Sequence, residues 1–330
     1  MKKYYSKFLL SILILVLSVN NIFSQGSGIG NNTFPIEDIQ LPKLNGHKFI
    51  TNSFLPNPFI KSKIKSNLGF ATSLQTELPL KRFGDSTNIQ INADITYTSG
   101  YFAFDYAITD WAAIWLNFSG IARIGTNTAS IFVSGITANT NFETGLLFKI
   151  KEFKKAQLSS SISINNSNST QLSIYEYIKN IIDSNRYVVN NSLVTNYNPL
   201  TGNIDLRFAY SPSPKWSLLA YVDGGYGEMI DIDTLVNKSS YSFGASFTYD
   251  LGVSSSIPFG FGAAFKINSL SPTKQYNAKT TQAYMMQIIY TGSKDFLIGL
   301  ESNYITIPTQ FNNINIHLTS FNLGWTYYFR

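Results

Sequence analysis

The chain has no cysteine among its 330 residues, and it has only two histidines. Without a thiol it can form no disulfide, no thiolate metal site and no cysteine nucleophile. The two histidines, His47 and His317, have no neighbouring carboxylates at a metal-ligand spacing. We therefore expect neither a metal ion nor another cofactor.

Charged residues are also scarce. They make up 13% of the chain, whereas aromatic residues make up 15%; a soluble domain has about 25% charged residues. A soluble protein of this size would need more charge to cover its surface. The net charge is +6, of which the first few residues carry a large part. The remaining positive charge is too small and too scattered to indicate a nucleic-acid partner.

Long apolar runs are missing after the first two dozen residues. Lys2, Lys3 and Lys7 precede an apolar run over 8–19, and small Ser24 precedes Gln25. These features are typical of a secretory signal peptide, which we predict for 1–24. A membrane anchor is the alternative, but the run is shorter than the roughly 20 residues that a spanning helix needs. Later stretches are interrupted too often to form spanning helices.

From residue 66 onward, the sequence has a two-residue period. In the clearest segment, 240–251, Tyr241, Phe243, Phe247 and Tyr249 alternate with small or polar residues. Such alternation predicts half-buried strands. A β-sandwich would also alternate, but it would not place aromatic residues at nearly every outward site of successive strands. A lipid-facing surface with aromatic girdles at each interface has this pattern.

Twelve such segments can be placed along the chain, and the connections between them alternate in length. Barrels of the outer membrane have short periplasmic turns, longer extracellular loops and an even number of strands. We predict an all-β, antiparallel, up-and-down transmembrane β-barrel of about 12 strands over 66–330, in contact with lipid of a Gram-negative outer membrane. A change of apolar phase near Ser99 and Gly100 predicts a β-bulge in the second strand. The predicted strands are 67–80, 90–108, 111–123, 141–150, 156–165, 203–210, 216–226, 240–251, 258–267, 281–290, 296–307 and 314–329.

The C-terminal segment carries the most specific pattern in the chain. A polar residue, a glycine and two alternating aromatic residues stand at Asn322, Gly324, Tyr327 and Phe329. This pattern resembles the targeting signal of outer-membrane barrels, which implies the barrel-assembly machinery as a partner. Arg330, which follows the last aromatic residue, departs from that signal.

The segment 25–65 has no clear period and contains Pro35, Pro42, Pro56 and Pro58. It could be a flexible periplasmic leader, bind a periplasmic or surface protein partner, or fold into the barrel as a plug. Residues 57–59, Asn-Pro-Phe, resemble the Asn-Pro-Ala hatch motif of the long-chain fatty-acid transporter family, which implies a plug. That family has fourteen strands, and its third motif residue differs. In the loop 166–201, isoleucines at helical spacing predict a short helix over 172–182.

The polar phase of the strands predicts which side chains face the lumen. Charges there either form ion pairs that fill the interior or line a selective channel. Twelve strands enclose less room than the 16–18 of open porins, so a narrow or plugged passage is expected. The predicted lumen-lining charges are Glu77, Asp105, Arg123, Glu143, Lys149, Asp205, Arg207, Asp223, Asp250, Lys266 and Glu301.

An enzymatic function is not expected. A lipid hydrolase like the outer-membrane phospholipases needs a histidine beside a serine at the lipid-facing surface, whereas the neighbours Ile316 and Leu318 predict that His317 faces the lumen. No acidic pair like that of the omptin proteases is legible in the sequence. We predict a narrow or plugged channel or transporter for a small solute or an apolar molecule. The alternative is a non-transporting barrel that anchors or assembles surface machinery.

The composition also suggests a source. The chain is rich in Asn, Ile, Lys and Tyr, and the predicted signal peptide ends in Phe-Ser before Gln25. In these respects it resembles uncharacterised porin-like barrels of Bacteroidota-type bacteria.

Overall fold

The computed structural model describes residues 41–50, 52–81, 88–124, 135–172, 194–231, 234–270, 279–308 and 315–329. The predicted signal peptide lies outside these residues. So does the predicted helix over 172–182, except for Leu172, which ends a strand. Within the described part of the chain, no helix is long and apolar enough to cross a membrane.

The described residues form a closed antiparallel β-barrel of twelve strands, as the alternation predicts. A small hairpin precedes the barrel, and one short strand, β8, adds to its wall. The strands are β1 (Lys43–Leu44), β2 (His47–Lys48), β3 (Ser62–Lys81), β4 (Asn88–Ala107), β5 (Ala112–Ile124), β6 (Gly135–Glu152), β7 (Ala156–Leu172), β8 (Val194–Tyr197), β9 (Leu200–Ser213), β10 (Trp216–Asp231), β11 (Thr234–Asp250), β12 (Phe259–Leu270), β13 (Lys279–Tyr290), β14 (Phe296–Pro308) and β15 (Asn315–Phe329).

Neighbouring strands in the sequence are neighbours in the sheet, and pairing of β3 with β15 closes the barrel. Between β7 and β9, β8 pairs with the last residues of β7, while β9 pairs with the rest of β7. Pro199 separates β8 from β9. Because proline has no N–H to give to a ladder, we interpret β8 as an interrupted extension of β9.

Both ends of the barrel chain, Ser62 and Phe329, lie at the same end as the short connections. We call this the short-turn end and the opposite one the long-loop end. The connections at the short-turn end are 108–111, 153–155, 214–215, 251–258 and 291–295. The predicted alternation of short and long connections is wrong at β10–β11, because β10 ends at Asp231 and β11 begins at Thr234, so this connection at the long-loop end is shorter than 251–258.

Burial is inverted relative to a soluble protein. On β15, Phe321, Leu323 and Trp325 are exposed on the outer face, whereas Ser320 and Asn322 between them are buried on the inner face. Aromatic pairs cluster beside the short turns, and their ring centroids lie 4.5–6.4 Å apart at Trp216–Tyr249, Trp111–Phe148 and Phe296–Trp325. Aromatic girdles of this kind mark the membrane–water interface of outer-membrane barrels.

The β-bulge predicted near Ser99 and Gly100 is wrong. Both residues continue the register between β3 and β4, and the shift in register lies in the partner strand, between Ser73 and Thr76. The apparent change of phase arises because Tyr97 and Tyr101 share the inward side of β4. Their hydroxyl groups suit a polar interior. Because the prediction counted tyrosine as a lipid-facing residue, these two inward tyrosines looked like a change of the apolar face.

The inward position predicted for His317 is also wrong. It has the same parity on β15 as exposed Phe321 and Trp325, and the register with β14 has no shift. On this outer face, His317 stacks on Tyr304 with ring centroids 5.6 Å apart. Ile316, which suggested the opposite phase, pairs with Ile307 near the long-loop end, where side chains no longer have to match lipid.

Candidate functional site

The interior of the barrel at its short-turn end is filled by residues 41–50 and 52–61, which we call the lumen segment. It begins with the β1–β2 hairpin, in which Lys43 pairs with Lys48 and Leu44 with His47. The turn residues Asn45 and Gly46 have φ values of 50° and 82°. Positive φ at both central residues is typical of a type I′ turn, for which Asn-Gly is the favoured sequence.

The hairpin is fixed to the barrel by a buried histidine. His47 Nδ1 lies 2.9 Å from the carbonyl oxygen of Pro214, and Nε2 lies 3.0 Å from Thr248 Oγ1. Because a carbonyl can only accept, Nδ1 carries the hydrogen and Nε2 accepts from the threonine hydroxyl. Burial lowers the pKa of His47 below its usual value, since desolvation disfavours the charged ring. The hairpin is therefore docked with a neutral histidine.

Apolar side chains of the lumen segment pack into two buried clusters with inward residues of the barrel. Leu41 and Ile50 pack with Ile289, Leu297 and Tyr328. A Cβ atom at inward Gly260 would lie 2.1 Å from Ile50 Cδ1, so glycine leaves the space that this side chain occupies. In the second cluster, Leu44, Phe49 and Phe59 pack against Ala209 and Leu219.

The tip of the lumen segment, residues 52–58, is held by hydrogen bonds to the barrel wall. Ser53 N donates to Glu301 Oε1 over 3.0 Å, and the Ser53 hydroxyl donates to the other oxygen of this carboxylate. The carbonyl of Pro58 accepts from Gln157 Nε2 at 2.7 Å and from Ser159 Oγ at 2.6 Å. These contacts bring polar inward groups from widely separated strands onto one short segment.

A cavity of about 190 Å³ lies against the tip. Residues 52–57 form one side of it, and inward side chains of the barrel form the rest. The wall residues are Lys63, Lys65, Tyr101, Ala103, Asp105, Trp115, Asn117, Glu143, Asp205, Arg207, Tyr221 and Lys266.

Two buried ion pairs organise this wall. Lys63 Nζ lies 2.7 Å from Asp105 Oδ2, and Arg207 Nη2 lies 2.7 Å from Asp205 Oδ2. Arg207 also donates to the carbonyl of Asn57 over 3.0 Å, which connects the wall to the tip of the lumen segment. Buried charges are costly unless they are paired. In both pairs the attraction between the partners offsets the free energy lost when the charges leave water.

Two further lysines face aromatic rings instead of carboxylates. Lys65 Nζ lies 5.6 Å from the ring centroid of Tyr101, and Lys266 Nζ lies 5.3 Å from that of Tyr221. Both distances are within the range of a cation–π interaction.

The structure brings five of the predicted lumen-lining residues together around the cavity. Two of the others are placed by strand pairing: Asp223 of β10 lies opposite Asp205, and Arg123 lies opposite Tyr97. Glu301 accepts from Ser53, and Asp250 accepts from Thr291. Lys149 lies near the short turns, where it pairs with Glu152 at 2.7 Å. The side chain of Glu77 lies outside the described residues. The five at the cavity are Asp105, Glu143, Asp205, Arg207 and Lys266.

Sequence reasoning missed Lys63 and Lys65, because both were assigned to the leader before the first strand. In the structure, β3 begins at Ser62. The signal was present: Lys63, Lys65 and Asn67 alternate with Ile64, Ser66 and Leu68 in the two-residue period of a strand. It also missed His47, whose partners Pro214 and Thr248 are far away in the sequence, and Asn52, whose side-chain oxygen accepts from the nearby backbone N of Phe54 and of Leu55.

The residues that resemble a targeting signal occupy both faces of β15. Asn322 is buried in the interior, where Ser99 Oγ donates to its Oδ1 over 3.4 Å. Tyr327 is exposed on the outer face, and its ring stacks on Phe329 with centroids 6.5 Å apart. Gly324 faces inward between these residues. Recognition by the assembly machinery stays a prediction.

No protein-family model matches the chain, and no curated protein matches it in sequence. Solved structures do match. An outer membrane channel from Pseudomonas putida F1 has 10% identity and a TM-score of 0.51, covering 85% of this chain and 100% of that chain. The translocator domain of the autotransporter NalP from Neisseria meningitidis has 6% identity and a TM-score of 0.50, covering 82% of this chain and 89% of that chain. These likenesses show that the chain has the fold of outer-membrane β-barrels.

Proposed function

We propose that this protein is a narrow outer-membrane channel for a small polar solute, closed by the lumen segment at its short-turn end. The observation that supports this most is the charged cavity that lies directly against the tip of that segment. A solved structure with the same fold is an outer membrane channel. The short turns face the periplasm, as in other outer-membrane barrels. The chain is inserted into the outer membrane of a Bacteroidota-type bacterium by the barrel-assembly machinery.

The chemistry of the cavity favours a polar solute over an apolar one. Lys63, Asp105, Asp205 and Arg207 place charged groups on its wall. Rings of charged side chains set selectivity in channels, whereas an apolar molecule would have to remove water from them without giving hydrogen bonds in return.

The way in which the lumen segment is attached suits a removable plug. Among the described residues, its two strands pair only with each other and form no ladder with the barrel. Its contacts to the barrel are apolar packing, hydrogen bonds that involve a side chain, and the backbone hydrogen bond from Leu41 N to the carbonyl of Lys294 in a short turn, over 2.8 Å. The segment can therefore leave the lumen without opening any pair of barrel strands.

Planar-bilayer recording tests the proposal. The mature chain from Gln25 and a variant that begins at Ser62 are refolded in detergent, and heat-modifiable gel mobility verifies that both form barrels. We expect rare conductance steps from the full chain and frequent steps from the variant. Equal conductance in both would contradict plugging. Silence in both would contradict the channel and favour a barrel that anchors surface machinery.

A further inference from the structure

Three buried hydrogen-bond donors of residues around the cavity have no partner in the described part of the chain: Trp115 Nε1, Asn52 Nδ2 and Asn57 Nδ2. The orientation of both amides is determined by their other atom. Asn52 Oδ1 accepts from the backbone N of Phe54 and of Leu55, at 3.1 and 2.7 Å, and Asn57 Oδ1 accepts from the N of Phe59 at 2.9 Å. Both Nδ2 groups consequently remain as donors.

Two ammonium groups add to these donors. Lys65 is only 6% exposed, and the contacts described for it and for Lys266 are with tyrosine rings, not with carboxylates. The carboxylates that act on Lys65 through space are Glu301 and Asp105. A buried cation without a direct partner is costly. The cavity thus offers an excess of donors, and an anion with several acceptor atoms would satisfy it.

The acceptors of the cavity restrict that anion further. Asp105 and Asp205 are already paired with Lys63 and Arg207. Glu143 makes no such pair; it accepts from Ser163 Oγ over 3.0 Å and from the side chain of Asn117, which still leaves it acceptor positions. Together with Asp223 and Asp205, it also acts on Lys266 through space. A ligand that carried only negative charge would be repelled by these carboxylates, so it must also donate hydrogen bonds.

We propose that the cavity binds a small hydroxy acid. Its carboxylate accepts from donors of this set, which Lys65, Lys266, Trp115, Asn52 and Asn57 supply around the cavity, and its hydroxyl groups donate to Glu143. The hydroxy acid would be the substrate of the proposed channel. Its transport rests on the proposed function, whereas its binding to the cavity does not. Because two of the donors belong to the lumen segment, the site is complete only when the segment is docked.

Isothermal titration calorimetry on the full mature chain in detergent tests the site with glycerate as the probe. Its uncharged amide, glyceramide, and glycerol are the comparison ligands. We expect glycerate to bind and both uncharged compounds to bind at least about tenfold more weakly, because hydrogen bonds to a charged group are the stronger ones. Lys65→Gln and Lys266→Gln should each weaken glycerate binding roughly tenfold.

Lys154→Gln, on an exposed short turn, is the matched control and should leave glycerate binding unchanged. Trp115→Phe removes the unpartnered Nε1 donor but keeps an aromatic ring beside Arg207, whose Cζ lies 5.7 Å from the ring centroid of Trp115, and it should also weaken binding. Heat-modifiable mobility verifies the fold of each variant. The proposal would be overturned if glycerate did not bind, or if glyceramide bound as tightly as glycerate. It would also be overturned if neither Lys65→Gln nor Lys266→Gln weakened glycerate binding.

The outcome is separable from that of the channel experiment, since calorimetry needs no conductance. If removal of the lumen segment produced conductance but the full chain did not bind glycerate, the hydroxy-acid site alone would be overturned. Glycerate binding to a barrel that is silent in both forms would overturn the channel and leave the site standing.

Discussion

Replacing Gly260 by valine should displace the lumen segment while leaving the barrel sheet intact. Gly260 lies on the inner face of β12, and a Cβ atom there would be 2.1 Å from Ile50 Cδ1 and 3.2 Å from Thr291 Cγ2. The nearer atom belongs to the lumen segment, so the clash opposes docking. Valine is favoured in strands, so the substitution does not by itself weaken the barrel.

The expected magnitude follows from overpacking of a buried contact, which typically costs about 1–3 kcal/mol. Applied to the equilibrium between docked and released segment, this cost changes the ratio by about 5- to 150-fold. The Ile50 side chain can rotate its terminal methyl group, so we expect an effect in the lower half of this range.

Open probability in planar bilayers measures the effect. Gly224→Val is the matched control, because a Cβ atom at Gly224 meets nothing within 4 Å, and it should behave like the parent chain. Adding Ile50→Ala to Gly260→Val should relieve the clash and lower the open probability again. Parent-like behaviour of Gly260→Val, or strictly additive effects of the two substitutions, would refute the contact.

Three further outcomes are expected. Because burial lowers the pKa of His47 in the docked state, the released state gains protons first as pH falls through about 6.5. Docking should therefore weaken below that pH, by at most about tenfold per pH unit, and His47→Gln should abolish the pH dependence of open probability. Asp205→Asn leaves Arg207 buried without its partner and should lower the free energy of unfolding in urea by about 3–5 kcal/mol; Lys149→Gln breaks an exposed pair and should cost at most about 1 kcal/mol. Phe329→Ala should reduce the yield of barrel in the outer membrane but not refolding in detergent, and an unchanged membrane yield would contradict a targeting role.

The barrel was predictable because its outer face must match lipid along every strand. In β11, Tyr241, Phe243 and Phe247 point outward while Ser242 and Ser246 are buried, and this contrast is legible in the sequence. The alternation is lost near the long-loop end of β11, where Leu235 and Val236 are consecutive and three polar residues, Asn237, Lys238 and Ser239, follow them. For that reason the predicted strand over 240–251 begins later than β11, which starts at Thr234.

The site was predictable only in part. The two-residue period of the strands identified Glu143 and Lys266 as inward residues. It does not show which inward residues lie at the same height along the barrel axis. The docking of the lumen segment depends on contacts such as that of Ser53 with Glu301, which are 248 residues apart. A single sequence contains no signal for such a pair, and proline-rich segments without a period are compatible with several positions.

A disulfide between the lumen segment and the wall tests the plug most directly. The chain has no cysteine of its own, so Ile50→Cys with Gly260→Cys introduces a single pair. Ile50 Cγ1, where the new sulfur would lie, is 3.5 Å from a Cβ atom at Gly260, close to the roughly 3 Å that a disulfide requires between these atoms. With the disulfide verified by mass spectrometry, we predict that the oxidised barrel stays closed in planar bilayers and that reduction with dithiothreitol produces conductance steps. The same open probability before and after reduction would contradict a channel plugged by the lumen segment.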